Sequence, residues 1–397
     1  MTIRDEIPPA RRTGLRLFAW TRARVLLAVL LAAAGLASVR FATDSAADPV
    51  FFPRLQRGIS LAHWFAQAHD GLSEKHVTTF VTRTDMQRLA AAGFKHVRLP
   101  VELGPAFGTD EASQRMQAIL LEKIAELVAS GLAVVVDLHP TVAEKKMVEA
   151  NPRILSEGWA RFARLLSRFP PEVLALEVMN EPNPMKGRRW HEIQAAAVKA
   201  IRGVVPAHTI IVNPGNWSGI DEFADLQPLR DRNLVYTAHI YDPTLFTHQG
   251  ADWSWDVAKE IKGLPWPVLP ADADAVAKVS AAPGRAFDIL KDQIGKGIMD
   301  AKWMEERLDT LAAWQKRSKG ARIWIGEFGV YRKVAPREPR LAWHRALRSG
   351  FEARGWGWAL WDYTGDFGII QSPKGRPYDR GLIEALGLKE PAASLAN

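Results

Sequence analysis

The chain has 397 residues, 47% of them hydrophobic and 24% charged, enough to bury a large core and too apolar for a disordered or fibrous protein. It contains no cysteine, which excludes disulfides, thiolate catalysis and cysteine-held zinc or iron–sulfur centres. The net charge of +8 is no nucleic-acid signature: half of it lies within residues 1–24, where Arg4, Arg11, Arg12, Arg16, Arg22 and Arg24 outnumber Asp5 and Glu6, and the rest is spread without a basic cluster.

The basic leader runs into an apolar stretch, Val25–Val39, stopped by Arg40. A spanning helix needs roughly 20 residues, whereas a basic region followed by a shorter apolar one fits an export signal. Ser45-Ala46-Ala47 is the nearest small-residue cleavage candidate and lies beyond the run, and Arg11-Arg12 matches a twin-arginine signal only in part. Residues 1–47 therefore read as a signal peptide or a retained membrane anchor. Residues 48–397 read as one domain, either exported to the periplasm or medium or held at the inner membrane through residues 25–39.

From Arg57 onward, strand and helix patterns alternate. The strands are Gly58–Ala62, His96–Leu99, Ala133–Leu138, Val173–Met179, Thr209–Asn213, Leu234–His239, Arg322–Glu327 and Gly357–Trp361. Helical patterns fall at Asp85–Ala92, Glu111–Ser130, Pro152–Arg168, Arg188–Gly203, near Gly219–Leu226, at Asp300–Ser318 and at Pro339–Arg354. Eight strands, nearly all followed by a helix, is the count of an α/β (β/α)8 TIM barrel. A doubly wound open sheet is the alternative, but no Gly-rich phosphate turn follows the first strand. Residues 242–299 break the alternation as a long insertion after strand six, with a short helix near Ala271–Val279, and form a candidate cleft wall or lid.

In a barrel, the polar residue at the C-terminal end of each strand faces one shared site. Collected in order, these are His63 or Trp64, Arg98, His139, Asn180 with Glu181, Asn216 or Trp217, His239 with Tyr241, Glu327, and Trp361 with Asp362. The set holds a carboxylate pair, a guanidinium, two imidazoles and aromatic platforms, and lacks a nucleophilic Ser and an obvious metal cluster. Two carboxylates, one kept protonated and one ionised, are what glycosidic bond cleavage needs. Arg98 beside one glutamate would keep it ionised, and desolvation would keep the other protonated. Glu177, earlier on the fourth strand, is expected to point into the barrel below the site as a structural residue. Of the 15 tryptophans, Trp217, Trp253, Trp255 and Trp266 sit beside loop-forming residues, where a flat ring can stack on a sugar.

Asn180-Glu181-Pro182, Gly326-Glu327-Phe328-Gly329, His239-Ile240-Tyr241, Arg98 in His-Val-Arg-Leu-Pro, Asp137-Leu138-His139 and Trp361 together resemble glycoside hydrolase family 5, within the clan of retaining (β/α)8 glycosidases. The resemblance runs from about Gly58 to about Phe367. The stretch Tyr236–Pro243, continuing to Phe246-Thr247-His248-Gln249, is similar to bacterial cellulase-like members. By this resemblance, Glu181 is the general acid/base and Glu327 the nucleophile. Asn180 binds the sugar's 2-hydroxyl, Arg98 and Tyr241 hold Glu327, His139 and His239 bind hydroxyls and tune the pair, and Trp361 floors the sugar subsite. Trp64 and Trp217 are further contact candidates.

The expected activity is hydrolysis of internal bonds of a β-glucan, β-1,4 first, by a monomer that needs no cofactor or metal and meets a membrane only through its N-terminal segment. A β-1,3-glucanase, a β-mannanase, a transglycosylase, or a non-catalytic polysaccharide-binding barrel in an export complex are the alternatives. Pro140 directly after His139 and the Trp-rich insertion depart from the family pattern and leave sugar and linkage unassigned.

Overall fold

The computed structural model describes residues 51–370 and 377–391. The leader, the apolar run 25–39 and the boundary at residue 47 lie outside the described residues. Eight parallel strands form a closed barrel: β1 (Arg57–Ser60), β2 (His96–Val101), β3 (Ala133–Leu138), β4 (Leu174–Glu177), β5 (Thr209–Val212), β6 (Leu234–Ile240), β7 (Arg322–Phe328) and β8 (Gly357–Leu360), with β8 pairing back onto β1. This is the expected (β/α)8 architecture.

The two-residue period of each strand sorts its side chains between two environments. On β3, Ala133 and Val135 turn inward and meet Ala175, Ile211, Val235, Trp324 and Ala359 from other strands, with Phe51 and Leu55 from the turn before β1 filling the same cluster. Val134, Val136 and Leu138 pack instead with the helix layer. The next inward positions toward the strand ends are Arg98, Asp137, Glu177 and Thr237, all fully buried and all polar. Asp137 pairs in register with Glu177. The interior therefore changes from apolar to ionic along the barrel axis, and the ladder alone sets polar groups under its C-terminal face.

Most helices fall within two residues of their expected bounds, as with Glu111–Ala129 and Ala301–Arg317. Four strands end early, β1 at Ser60, β5 at Val212 and the two that carry site residues. β4 stops at Glu177 and β8 at Leu360, so Glu181 and Trp361 are held by irregular backbone rather than by the ladder. A further helix, Val142–Ala150, lies between β3 and the helix Arg153–Leu166. It opens with a capping box in which Thr141 and Glu144 bond each other's backbone N–H groups, an interaction of about 1 kcal/mol.

The insertion is a packed unit rather than an open loop. It holds helices Ala273–Ser280 and Arg285–Gly295, and Val257, Ile261, Leu264, Trp266 and Val268 join the main core. No helix among the described residues is long and apolar enough to cross a membrane.

Candidate active site

Arg98 organises the strand ends. Fully buried on β2, it donates Nε and Nη2 to Glu177 at 2.7 and 2.9 Å, Nη1 to Glu327 Oε1 at 2.7 Å, and Nη2 to Asn180 Oδ1 at 2.9 Å, and it pairs with Asp137 at 2.9 Å. The planar fork of a guanidinium serves this many acceptors where an ammonium would not. Glu177 thus lies below the site, as expected, and grips the arginine that grips Glu327.

Asn180 is fixed at both ends of its amide. With Oδ1 taken by Arg98, its Nδ2 donates to His139 Nε2 at 3.2 Å, which leaves His139 Nδ1 to donate to Asp137 at 2.7 Å. Burial, reinforced by Arg98, pushes the His139 pKa down to about 3, so the ring is neutral. Trp361 stacks on His139 with centroids 5.7 Å apart and an interplanar angle of 14°.

Glu181 sits at φ 36°, a left-handed conformation that costs a non-glycine residue about 1 kcal/mol or more. The approach to it is clamped. Trp159 Nε1 donates to the Val178 carbonyl at 2.8 Å, Asn213 Nδ2 to the Met179 carbonyl at 2.6 Å, and the Asn180 N–H to the Leu138 carbonyl at 2.7 Å. The backbone thus aims Glu181 across the barrel mouth.

The two glutamates meet at His239. A register shift between Ala238 and His239 brings His239 opposite Glu327, and its Nδ1 lies 2.8 Å from Glu181 Oε1 and 3.6 Å from Glu327 Oε2. Ligand atoms of Glu181, His239 and Glu327 all fall within 4.8 Å of one another. These are also the residues whose convergence could hold a metal ion, although hydrogen bonds already engage each of them. Tyr241 Oη donates to Glu327 Oε2 at 2.8 Å, so both oxygens of Glu327 accept, one from Arg98 and one from Tyr241. Among the described residues, no arginine pairs with Glu181. Burial raises its pKa against the pull of Lys145, His139 and Arg98. Burial also lowers the His239 pKa to about 4.

Among the flanking candidates, Trp64 does not belong to the site. It is fully buried and donates Nε1 to the Val77 carbonyl at 2.8 Å, because β1 ends at Ser60 and the chain turns the indole into the core beneath the loop. Its neighbour His63 faces Asp362 at 3.4 Å. Trp217 stands 57% exposed on the loop after β5, while Asn216 is tied into that loop by Asn183 and Glu222. Trp266 is core. Trp253 is 59% exposed and packs against His248, Tyr331 and Phe367, which with Tyr241 make an aromatic wall beside Glu327. Trp255 lines a separate cavity of about 210 Å³ with Asp242, Leu245, Gln293 and Trp303.

Sequence reasoning missed Tyr331 and Phe367, which only the fold brings to the wall.

The model of "Cellulase (glycosyl hydrolase family 5)" matches residues 58–366. Endoglucanase 3 of Fibrobacter succinogenes is 28% identical over 84% of this chain, and the match spans 53% of that protein's length. Endoglucanase C of Acetivibrio thermocellus is 26% identical over 84% of this chain and 98% of its own. Thermotoga maritima Cel5A has solved structures in complex with cellobiose and with mannotriose. They superpose with TM-scores of 0.68 and 0.70 at 27% identity, covering 85% of this chain and 100% of theirs. The match over most of the barrel, together with the converging glutamates at its mouth, shows that this chain belongs to glycosyl hydrolase family 5 and is a glycoside hydrolase.

Proposed function

We propose that the chain hydrolyses internal β-glycosidic bonds of a β-glucan, with β-1,4 linkages first, by retaining double displacement. The observation that carries the reading is the unequal environment of two converging carboxylates. Glu327, accepting from Arg98 and Tyr241, is the nucleophile. Glu181, desolvated and without an arginine, is the acid that protonates the leaving oxygen and later the base that takes a proton from water. Oxygens of the two within 4.8 Å suit direct attack, since inverting enzymes separate their carboxyls by about 6.5–9.5 Å to admit a water. Asn180, held by Arg98 and His139, reads the sugar's 2-hydroxyl, and Trp361 floors the same sugar. Trp253 and Trp217, both exposed, offer further flat rings for sugar stacking. Export, or tethering through residues 25–39, completes the proposal.

Glu181→Gln and Glu327→Gln, assayed on soluble β-glucans and mannans, each lose at least about 10²–10⁴-fold in turnover. Persistence of β-glucan hydrolysis in either variant overturns the assignment. The mannan arm is included because the Thermotoga maritima relative has been seen with mannotriose. Proton NMR of the first product shows a retained anomer, and an inverted one sinks the two-step route.

A further inference from the structure

The insertion after β6 turns two nearby tryptophans to different surroundings. Trp253 packs against Tyr331 and Phe367 in the wall beside Glu327, while Trp255 lines the separate cavity of about 210 Å³. Trp303, from the helix Ala301–Arg317, lines it too, with Leu245 and Ile298 as apolar neighbours and Asp242 and Gln293 as polar ones. The chain path sets this cavity apart from the reaction centre. Tyr241 sends its hydroxyl to Glu327 at 2.8 Å, whereas the carboxylate of the next residue, Asp242, faces Arg307 of the outer helix at 3.6 Å. Among the described residues, none of the cavity's side chains bonds to Glu181, Glu327, His239 or Arg98.

The lining selects the chemistry of its ligand. Two indoles offer flat apolar faces, on which the C–H face of a pyranose ring packs. The Asp242 carboxylate accepts hydrogen bonds and the Gln293 amide both accepts and donates, a combination that serves neighbouring hydroxyl groups. Among the described residues, neither the Gln293 amide nor the indole N–H of Trp255 or Trp303 has a protein partner. Charge in the lining is already balanced: Arg307 pairs with Asp221 and Asp242 and lies over the Trp303 ring at 5.5 Å. That leaves the lining without a cation to hold an anion, so the occupant it suits is neutral and polyhydroxylated. Sites for drug-sized ligands run to about 300–1,000 Å³, so a cavity of about 210 Å³ takes a single sugar ring rather than a length of chain. Trp255 is 40% exposed, which leaves its side of the cavity open to solvent.

We propose that this cavity is a second carbohydrate-binding site, outside the catalytic cleft, which holds one glycosyl unit of a neutral polysaccharide. The inference rests on the polysaccharide substrate proposed above. A polymer long enough to reach both places is held twice, and the second contact forms at the high effective concentration that the first one sets. A substrate that fills only the cleft gains nothing. The cavity therefore favours long chains over short ones without touching the bond that breaks.

The test uses Trp255→Ala and Gln293→Ala, each made in the active chain and in the Glu327→Gln chain, which binds polymer without cutting it. Retention of the Glu327→Gln forms is measured by electrophoresis through gels containing β-glucan, mannan or xylan, and kinetics of the active forms on soluble β-glucan and on an aryl cellobioside. Each substitution lowers retention about two- to tenfold, the range expected for one lost aromatic or polar contact, and raises KM on the polymer by the same factor. Turnover of the polymer at saturation and kcat/KM on the aryl cellobioside stay at the parent values. Unchanged retention in both variants overturns the proposal, since the cavity then holds no sugar. An equal loss on polymer and aryl cellobioside also overturns it, because the residues then act on the cleft itself. Should β-glucan be neither retained nor cut while another glycan is held through Trp255, the β-glucan reading falls and the second site stands.

Discussion

Arg98 brings three carboxylates together out of contact with solvent: Asp137, Glu177 and Glu327 are at most 6% exposed at their side chains where they meet it. Taking charges out of water is costly, and the cluster stands because one guanidinium supplies a donor to each. Arg98→Met, close in length but uncharged, strands those carboxylates. It should lower the free energy of unfolding by about 3–5 kcal/mol in urea titrations, the cost of breaking a buried ion pair from one side. A loss below about 1 kcal/mol would show that the carboxylates simply take up protons. Arg98, Asn180, Glu181 and Glu327 were readable in the sequence because a polar residue ending an apolar strand has few reasons to be there. Trp64 was not: it shares that position along the chain, yet its indole turns into the core, and no local pattern tells inward from outward once a strand has ended.

At the scale of elements, the insertion after β6 is closed in part by one buried amide. Gln249 donates Nε2 to the carbonyls of Phe246 and Leu264, both at 3.0 Å, and accepts from the Leu264 N–H at 2.8 Å, so that it staples residues 246–264 into a closed turn. Gln249→Ala leaves a buried N–H and two carbonyls without this partner, at about 1–3 kcal/mol each for groups that water does not reach. Limited proteolysis should then cut the variant within residues 250–299 under conditions where the barrel remains folded and the parent is resistant. An unchanged cleavage pattern would mean that the apolar contacts of Leu264, Trp266 and Val268 hold the segment alone. The insertion's existence was legible as a break in the strand and helix alternation. Its packing was not, because Val257, Ile261 and Leu264 find their partners among residues distant in sequence. The helix Val142–Ala150 went unread for a related reason: it buries only Lys145 and Val148, and so shows almost no apolar period.

At the scale of the molecule, burial of neutral imidazoles should govern acid stability. His96, His139 and His344 have pKa values pushed down to about 3, and His239 and His248 to about 4, in each case chiefly by desolvation. Unfolded, each would titrate near 6.5. Between that value and the folded one, the unfolded chain binds protons that the folded chain refuses, so stability falls as pH drops through the window. Each group contributes up to about 1.4 kcal/mol per pH unit there. Glu177, Glu181 and Asp362, with pKa values raised by burial, bind protons first in the folded state and offset part of the slope. His344→Leu should therefore flatten the dependence of unfolding free energy on pH by about one proton between roughly pH 6 and 4. A parallel slope would show that His344 is protonated within the fold.

The sequence by itself determined the barrel and set two glutamates and an arginine at its strand ends. Those features follow from the two-residue and 3.6-residue periods and from the residue types that stop them, all of which are local. Only the tertiary structure decided which side chains share a space: that Glu177 holds Arg98, that Trp64 is core while Trp253 joins Tyr331 and Phe367, and that His239 meets both Glu181 and Glu327. Such pairings depend on ring closure and loop path, which bring together residues tens to hundreds of positions apart.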